Sequence, residues 1–252
     1  MFRTGTLIIL LLQLPMAVGI EDKRRSATEL MTPANRAMQD DMTIHPGSLW
    51  IMEGEQLWEE KTASGGKSCA MCHGNASSTM KGVSAGYPRL SDGRLKGLDD
   101  QVNDCRVNRQ GLAPLAPESR PLLSLTALIA YQSRGLPIAP DTTSQVQPYL
   151  EMGRQLFFKR MGQLNLSCAQ CHDERAGLRL GGSIIPQGHP TGYPIYRIEW
   201  QNMGSLQRRL RSCMTGVRAE RYDFSSQELL SLELYLMYRA KGMAIESPAV
   251  RP

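Results

Sequence analysis

The chain has 252 residues, 41% hydrophobic and 21% charged, and a formal net charge of +5 at neutral pH. That length suits one large domain or two of about 110 residues, each with its own core. The mild basic excess lacks any Lys/Arg run interleaved with aromatics, which argues against a nucleic-acid interface, and no stretch beyond the first twenty residues is long and apolar enough to cross a bilayer.

Residues 1–19 read as a secretory signal. Arg3 supplies the positive start, Leu7 to Leu14 form a short apolar core, and Ala17-Val18-Gly19 offers small residues at a cleavage site. An apolar core of about eight residues is too short for a stable membrane anchor. Residues 20–47 show little periodicity and read as an N-terminal arm or a partner-contacting extension.

An amphipathic helix is predicted over 48–62, with Leu49, Met52, Leu57 and Trp58 as its apolar positions. A Cys/His motif follows at 69–73, then a Gly- and Pro-rich stretch with few strand signals, then a short segment ending in the lone Cys105. A closing helix starts after Pro121 and stops near Gly135. Pro137, Pro140 and the polar run after them make 136–146 the expected linker. The layout then repeats: a helix over 147–161 with Leu150, Leu156, Phe157 and Met161, a Cys/His motif at 168–172, the lone Cys213, and a helix from Ser225-Ser226 to Gly242.

The repetition is literal. At a shift of 99, Gly54, Gln56, Leu57, Ser68, Cys69, Ala70, Cys72 and His73 fall on Gly153, Gln155, Leu156, Ser167, Cys168, Ala169, Cys171 and His172. Gly86-Tyr87-Pro88 returns as Gly192-Tyr193-Pro194, and Cys105 returns as Cys213. The shift drifts by a few residues, as loop insertions do. An all-α fold of two cytochrome c-type domains related by internal duplication is expected, divided as 48–140 and 141–252.

Cys69-Ala-Met-Cys72-His73 and Cys168-Ala-Gln-Cys171-His172 both match C-x-x-C-H, the attachment pattern of c-type haem. Two thiols three residues apart can add to the two vinyl groups, and the next imidazole then reaches the iron. Two covalently bound haem c groups are therefore expected, on Cys69 and Cys72 and on Cys168 and Cys171, with His73 and His172 as axial ligands. A thioredoxin-like pair would need a βαβ context, and a zinc site would need ligands spread around a tetrahedron.

For the opposite axial position the sequence offers methionines, among them Met80, Met203 and Met214, and two cysteines. Cys105 and Cys213 lie 32 and 41 residues beyond their histidines, in equivalent places, which favours thiolate ligation at both irons. A Cys105–Cys213 disulfide and two buried free thiols are the competing readings. Around Cys213 the chain is arginine-rich, with Arg209 one helical turn before it and Arg218 five residues after, while the first copy carries Gln101 in the place of Arg209. Such clustering suits an oxyanion held by bidentate hydrogen bonds, or alternatively a solvated basic face or a contact to haem propionates. His45 and His189 read as loop residues, and Tyr87 and Tyr193 as packing at a haem edge.

The paired SCAxCH motifs, the doubled Gly-Tyr-Pro and above all Arg208–Ala219 (RRLRSCMTGVRA) resemble the SoxA family, the dihaem subunits of the SoxAX complex of bacterial thiosulfate oxidation. The resemblance implies L-cysteine S-thiosulfotransferase activity in the periplasm, coupling thiosulfate to a cysteine of the SoxYZ carrier protein. It implies a SoxX-like monohaem partner and a cytochrome c electron acceptor. It also implies Cys105 as a ligand of the first haem, Cys213 as ligand of the second and bearer of a cysteine persulfide, and Arg209 as substrate-binding; Arg218 is a further candidate from its spacing alone. Thiosulfate dehydrogenase and a non-catalytic dihaem electron carrier are the alternatives. The symmetric cysteines disfavour the former.

Overall fold

A computed structural model describes residues 22–61 and 66–252, together with Met1. The export signal read over 1–19 lies, Met1 aside, outside these residues. The extension begins with a 3-10 turn at Ala27–Leu30 and α1 (Pro33–Asp40). The first half follows as α2 (Ser48–Glu59), α3 (Cys69–His73), α4 (Ala76–Thr79), β1 (Arg89–Ser91), β2 (Arg94–Lys96), α5 (Leu98–Gln110) and α6 (Arg120–Tyr131). The second comprises α7 (Gln147–Phe158), α8 (Cys168–His172), β3 (Arg179–Leu180), β4 (Ser183–Ile184), β5 (Ile195–Arg197), β6 (Asn202–Gly204), α9 (Leu206–Gly216), α10 (Gln227–Arg239) and β7 (Ala249–Arg251). The fold is mainly helical, with the same order of helices in both halves apart from α4, which the second half lacks. No helix among the described residues is long and apolar enough to cross a membrane.

Each half is built on one close helix crossing, α2 against α6 and α7 against α10. Gly54 and Gly153 make these crossings possible, since a Cβ on Gly54 would collide with the Ser124 carbonyl and one on Gly153 with the Ser231 carbonyl. Trp50, Ile51 and Trp58 pack on Leu125 and Leu128 around the first crossing, and Leu156 and Phe157 pack on Leu229, Leu232 and Leu236 around the second. The crossing sets which face of α2 is buried. Trp50, Ile51, Gly54 and Trp58 line it, so Leu49 and Met52, expected in the core, are exposed instead. Both opening helices also end earlier than predicted, because Glu60 and Lys159 turn extended.

The expected all-α character needs one addition. A β1–β2 hairpin follows the first motif, and β5 pairs antiparallel with β6 and parallel with the C-terminal β7. Strands of two or three residues are too short for alternation to show in a sequence.

The segment expected to be a linker is clasped at its start. Gly135 N–H donates to Ile245 O and Gly242 N–H to Ile138 O, both at 2.8 Å. Ile138 N–H donates to Met243 O and Ile245 N–H to Leu136 O, both at 2.9 Å. Each bond has a partner in which the two halves exchange roles, so a local two-fold axis passes through the Pro137–Ala244 bridge. Beneath it, Ala85 and Ile138 meet Ala240 and Ile245 in a shared apolar cluster.

The extension is docked onto this body. Buried Gln39 of α1 donates to Thr28 Oγ1 at 3.1 Å and accepts from Val250 N–H at 3.3 Å. His45 is in a loop, as expected, but is buried: its Nδ1 accepts from Gly47 N–H at 2.9 Å and its Nε2 donates to Pro248 O at 3.0 Å.

Where α10 meets β2 and the start of α5, carboxyls crowd the contact between halves. Burial, with the Glu118 and Asp100 charges, raises Asp99 to about 7; burial and the Asp99 charge raise Glu233 to about 8. An ordinary carboxyl in the unfolded chain titrates near ~4. Protons are thus held more tightly in the folded state, and the stabilisation from protonation is complete below ~4 and lost as pH rises through 7 to 8.

Two outcomes are expected. Gly153→Ala should destabilise the second half by about 1–3 kcal/mol through overpacking, seen as a lower melting temperature. Glu233→Gln should flatten the decline in thermal stability between about pH 5 and 8, and an unaltered slope would locate that titration elsewhere.

Candidate functional site

Both Cys/His motifs occupy single helical turns started by a serine. Ser68 Oγ accepts from Met71 N–H at 3.1 Å, and Ser167 Oγ from Gln170 N–H at 3.3 Å, with Gln170 returning a bond to Ser167 N–H at 2.9 Å. A cap of this kind satisfies otherwise unpaired amides and so fixes where the turn begins. Residues three apart on such a turn share a side, which suits the two thiols of each motif.

The histidines are held differently. His172 Nδ1 donates to Pro186 O at 2.7 Å, leaving Nε2 free to bind a metal, and Gly188 is so close that a Cβ there would meet the imidazole at 3.2 Å. His73 lies 5.7 Å from the Trp58 ring, whose Nε1–H donates to Gly74 O at 2.9 Å.

Cys105, on α5, and Cys213, on α9, each return to their own motif. Burial pushes the Cys69 thiol up, with Cys105 adding to it; burial pushes Cys168 up to about 11, with Cys213 adding to it. All six cysteines are free, so the Cys105–Cys213 disulfide weighed from the sequence is not formed. The methionines go elsewhere: Met80 and Met203 are buried in the first core, and Met214 in the second.

Cys213 has unusual surroundings. Burial works to raise its thiol, yet its pKa ends below the ordinary value, because a hydrogen bond with His172 and the Arg209 and Arg197 charges outweigh burial. In the first half, Gln101 Nε2 faces Cys105 Sγ at 3.7 Å in the place Arg209 occupies in the second. Tyr87 and Tyr193 lie near these cysteines, and burial chiefly raises both phenols, Tyr193 to about 12.

Arg197 is the residue that sequence reasoning missed. It stands sixteen positions before Cys213 in the chain, and only the folding back of β5 and β6 brings its charge to that thiol. The sole hint was its place three residues after the repeated Tyr-Pro. Arg218 stands apart: its side chain is exposed, its φ is +57°, and it lines an open surface cleft with Lys159 and Arg221. His189 serves the extension, its Nδ1 donating to Arg25 O at 3.0 Å.

These residues fit haem c. Each motif presents paired thiols and an imidazole with a third cysteine nearby, and the His172 ring is already oriented. Among the described residues no three His, Cys, Asp or Glu side chains are grouped to hold a bare metal ion.

A family model described as SoxA/TsdA, cytochrome c domain, matches residues 53–138 and 152–245. The L-cysteine S-thiosulfotransferase subunit SoxA of Pseudaminobacter salicylatoxidans is 36% identical over 219 residues, spanning 86% of this chain and 77% of the relative. That of Paracoccus pantotrophus is 32% identical over 220 residues, spanning 86% and 76%. The crystal structure of SoxXA from P. pantotrophus superposes with a TM-score of 0.87 at 31% identity, covering 91% of this chain and 87% of the other. The chain belongs to the SoxA family, the cytochrome c subunits of L-cysteine S-thiosulfotransferase.

Proposed function

We propose that this chain couples thiosulfate oxidatively to a cysteine of a SoxYZ carrier protein, with Cys213 as the sulfur acceptor and Arg209 as an anion holder. The observation that carries the reading is the company Cys213 keeps: it returns to the haem motif that carries His172, with the Arg209 and Arg197 charges beside it. The first half has a glutamine in the place of Arg209, which supports one reactive site and one that is not. The division into 48–140 and 141–252, two haem groups, a SoxX-like partner, a periplasmic location and a cytochrome c acceptor belong to the same reading.

Cys69, Cys72, His73 and Cys105 would hold one haem, and Cys168, Cys171, His172 and Cys213 the other. Bound there, haem supplies a route by which electrons leave toward the acceptor cytochrome. The chain's own residues do the rest. Arg209 holds the sulfonate by charge-assisted hydrogen bonds and sets the outer sulfur of thiosulfate against Cys213 Sγ. The thiolate and the outer sulfur join, two electrons are lost, and Cys213 carries an S-sulfonate on its added sulfur. The carrier thiolate then attacks that added sulfur, its disulfide-like bond to Cys213 breaks, and Cys213 is released as thiolate.

Mass spectrometry of the exported protein should find two haem additions and, after thiosulfate and an acceptor cytochrome are supplied without carrier, a sulfur bearing a sulfonate on the peptide holding Cys213. Arg209→Gln, which copies the first half, should keep the haem content and lower kcat/KM for thiosulfate by about tenfold or more, the size expected of a lost charged hydrogen bond. Full turnover in that variant would assign the arginine another task.

A further inference from the structure

We propose that Arg197 is the second arm of a guanidinium clamp that closes with Arg209 on the sulfonate of thiosulfate beside Cys213. The inference rests on the reading of Cys213 as sulfur acceptor, and names a residue that this reading does not require.

Arg197 is placed by rigid parts. It ends β5, in register with Asn202 of β6 and Arg251 of β7, so strands on both sides fix its backbone. Its guanidinium lies over the Trp200 ring at 5.2 Å. That ring is itself pinned, with Arg208 over it at 4.2 Å and Gly204 so close that a Cβ would strike it. An arginine held this way loses little side-chain entropy when it binds an anion.

It also has unused capacity. One terminal nitrogen meets Glu199 at 2.7 Å, with the arginine side chain only 11% exposed and the glutamate largely in solvent. Its Nε is buried without a hydrogen-bond partner. Buried N–H groups are ordinarily paired, so an orphan at the edge of a reactive site marks a place for an incoming acceptor.

Charge balance points the same way. Arg197 and Arg209 both bear on Cys213 and on each other: burial and the Arg209 charge make Arg197 easier to deprotonate than a free arginine. The three sulfonate oxygens of thiosulfate can accept from two guanidinium forks at once, and an anion between them relieves their mutual repulsion. The first half lacks both arms together: the third residue of β1 is Ser91 where β5 ends in Arg197, and Gln101 replaces Arg209.

The test uses the haem-loaded complex and three variants: Arg197→Ser, which copies the first half, Arg197→Lys, and Arg209→Gln. Thiosulfate binding without carrier or acceptor is followed by the optical spectrum, sulfate is the competing probe, and turnover separates KM from kcat. Arg197→Ser should raise Kd and KM about tenfold with a smaller change in kcat, and sulfate should compete correspondingly less well. Arg197→Lys should fall between, keeping charge but losing the planar fork, and it serves as the reporter should the serine variant not assemble. Kd values within about twofold of the unsubstituted complex for the Arg197 variants, beside a weakened Arg209→Gln, would overturn the clamp and leave the acceptor reading intact. Unaltered binding in all three would remove the anion site altogether.

Discussion

The return of Cys213 to the motif that carries His172 is the constraint that the second half is arranged to meet. The two residues lie on different helices, α9 and α8, far apart in the chain. Each is positioned by its own devices: a serine cap and the Pro186 carbonyl for His172, and the β5–β6 hairpin leading into α9 for Cys213. The α7–α10 crossing at Gly153 sets the body on which α8 and α9 rest. A thiol in such a place would ordinarily be harder to ionise. Only the imidazole and guanidinium charges reverse that tendency.

Much of this was legible in the sequence, because covalent chemistry and helix periodicity leave local marks. The C-x-x-C-H motifs, the duplication and the opening helices each sit within a short window. Arg209 was visible because it precedes Cys213 by one turn on the same helix. Arg197 was not, since its nearness depends on strands too short to show alternation. Leu49 and Met52 misled for a related reason: α2 is apolar on more than one side, and the Gly54 crossing, a tertiary contact, decides which side is buried. The start of 136–146 read as a linker because its prolines and polar neighbours carry turn chemistry, while the segment it pairs with lies more than a hundred residues away.

The two halves share a scaffold but not an electrostatic character. Gly54 and Gly153, and Ser68 and Ser167, do equivalent work in each, and Cys105 and Cys213 hold equivalent places. The divergence is concentrated in side chains facing the lone cysteine, with Gln101 and Ser91 in one half and Arg209 and Arg197 in the other. Such a pattern separates the cost of keeping a fold from the cost of keeping a reaction, since changes at these positions leave the helix crossings and caps untouched.

The clasp across the local two-fold has a consequence for how the repeats can drift. Every residue in it is offset by 107 positions from its counterpart, although the offset elsewhere runs from 99 to 108. Loops have therefore lengthened and shortened on either side of a seam whose own register is locked by reciprocal amide bonds. A one-residue slip there would turn the side chains of one strand outward and expose Ile138 and Ile245 to solvent. The seam thus works as a fixed datum. Insertions can reshape the rim around either motif, while the angle between the two halves stays as it was.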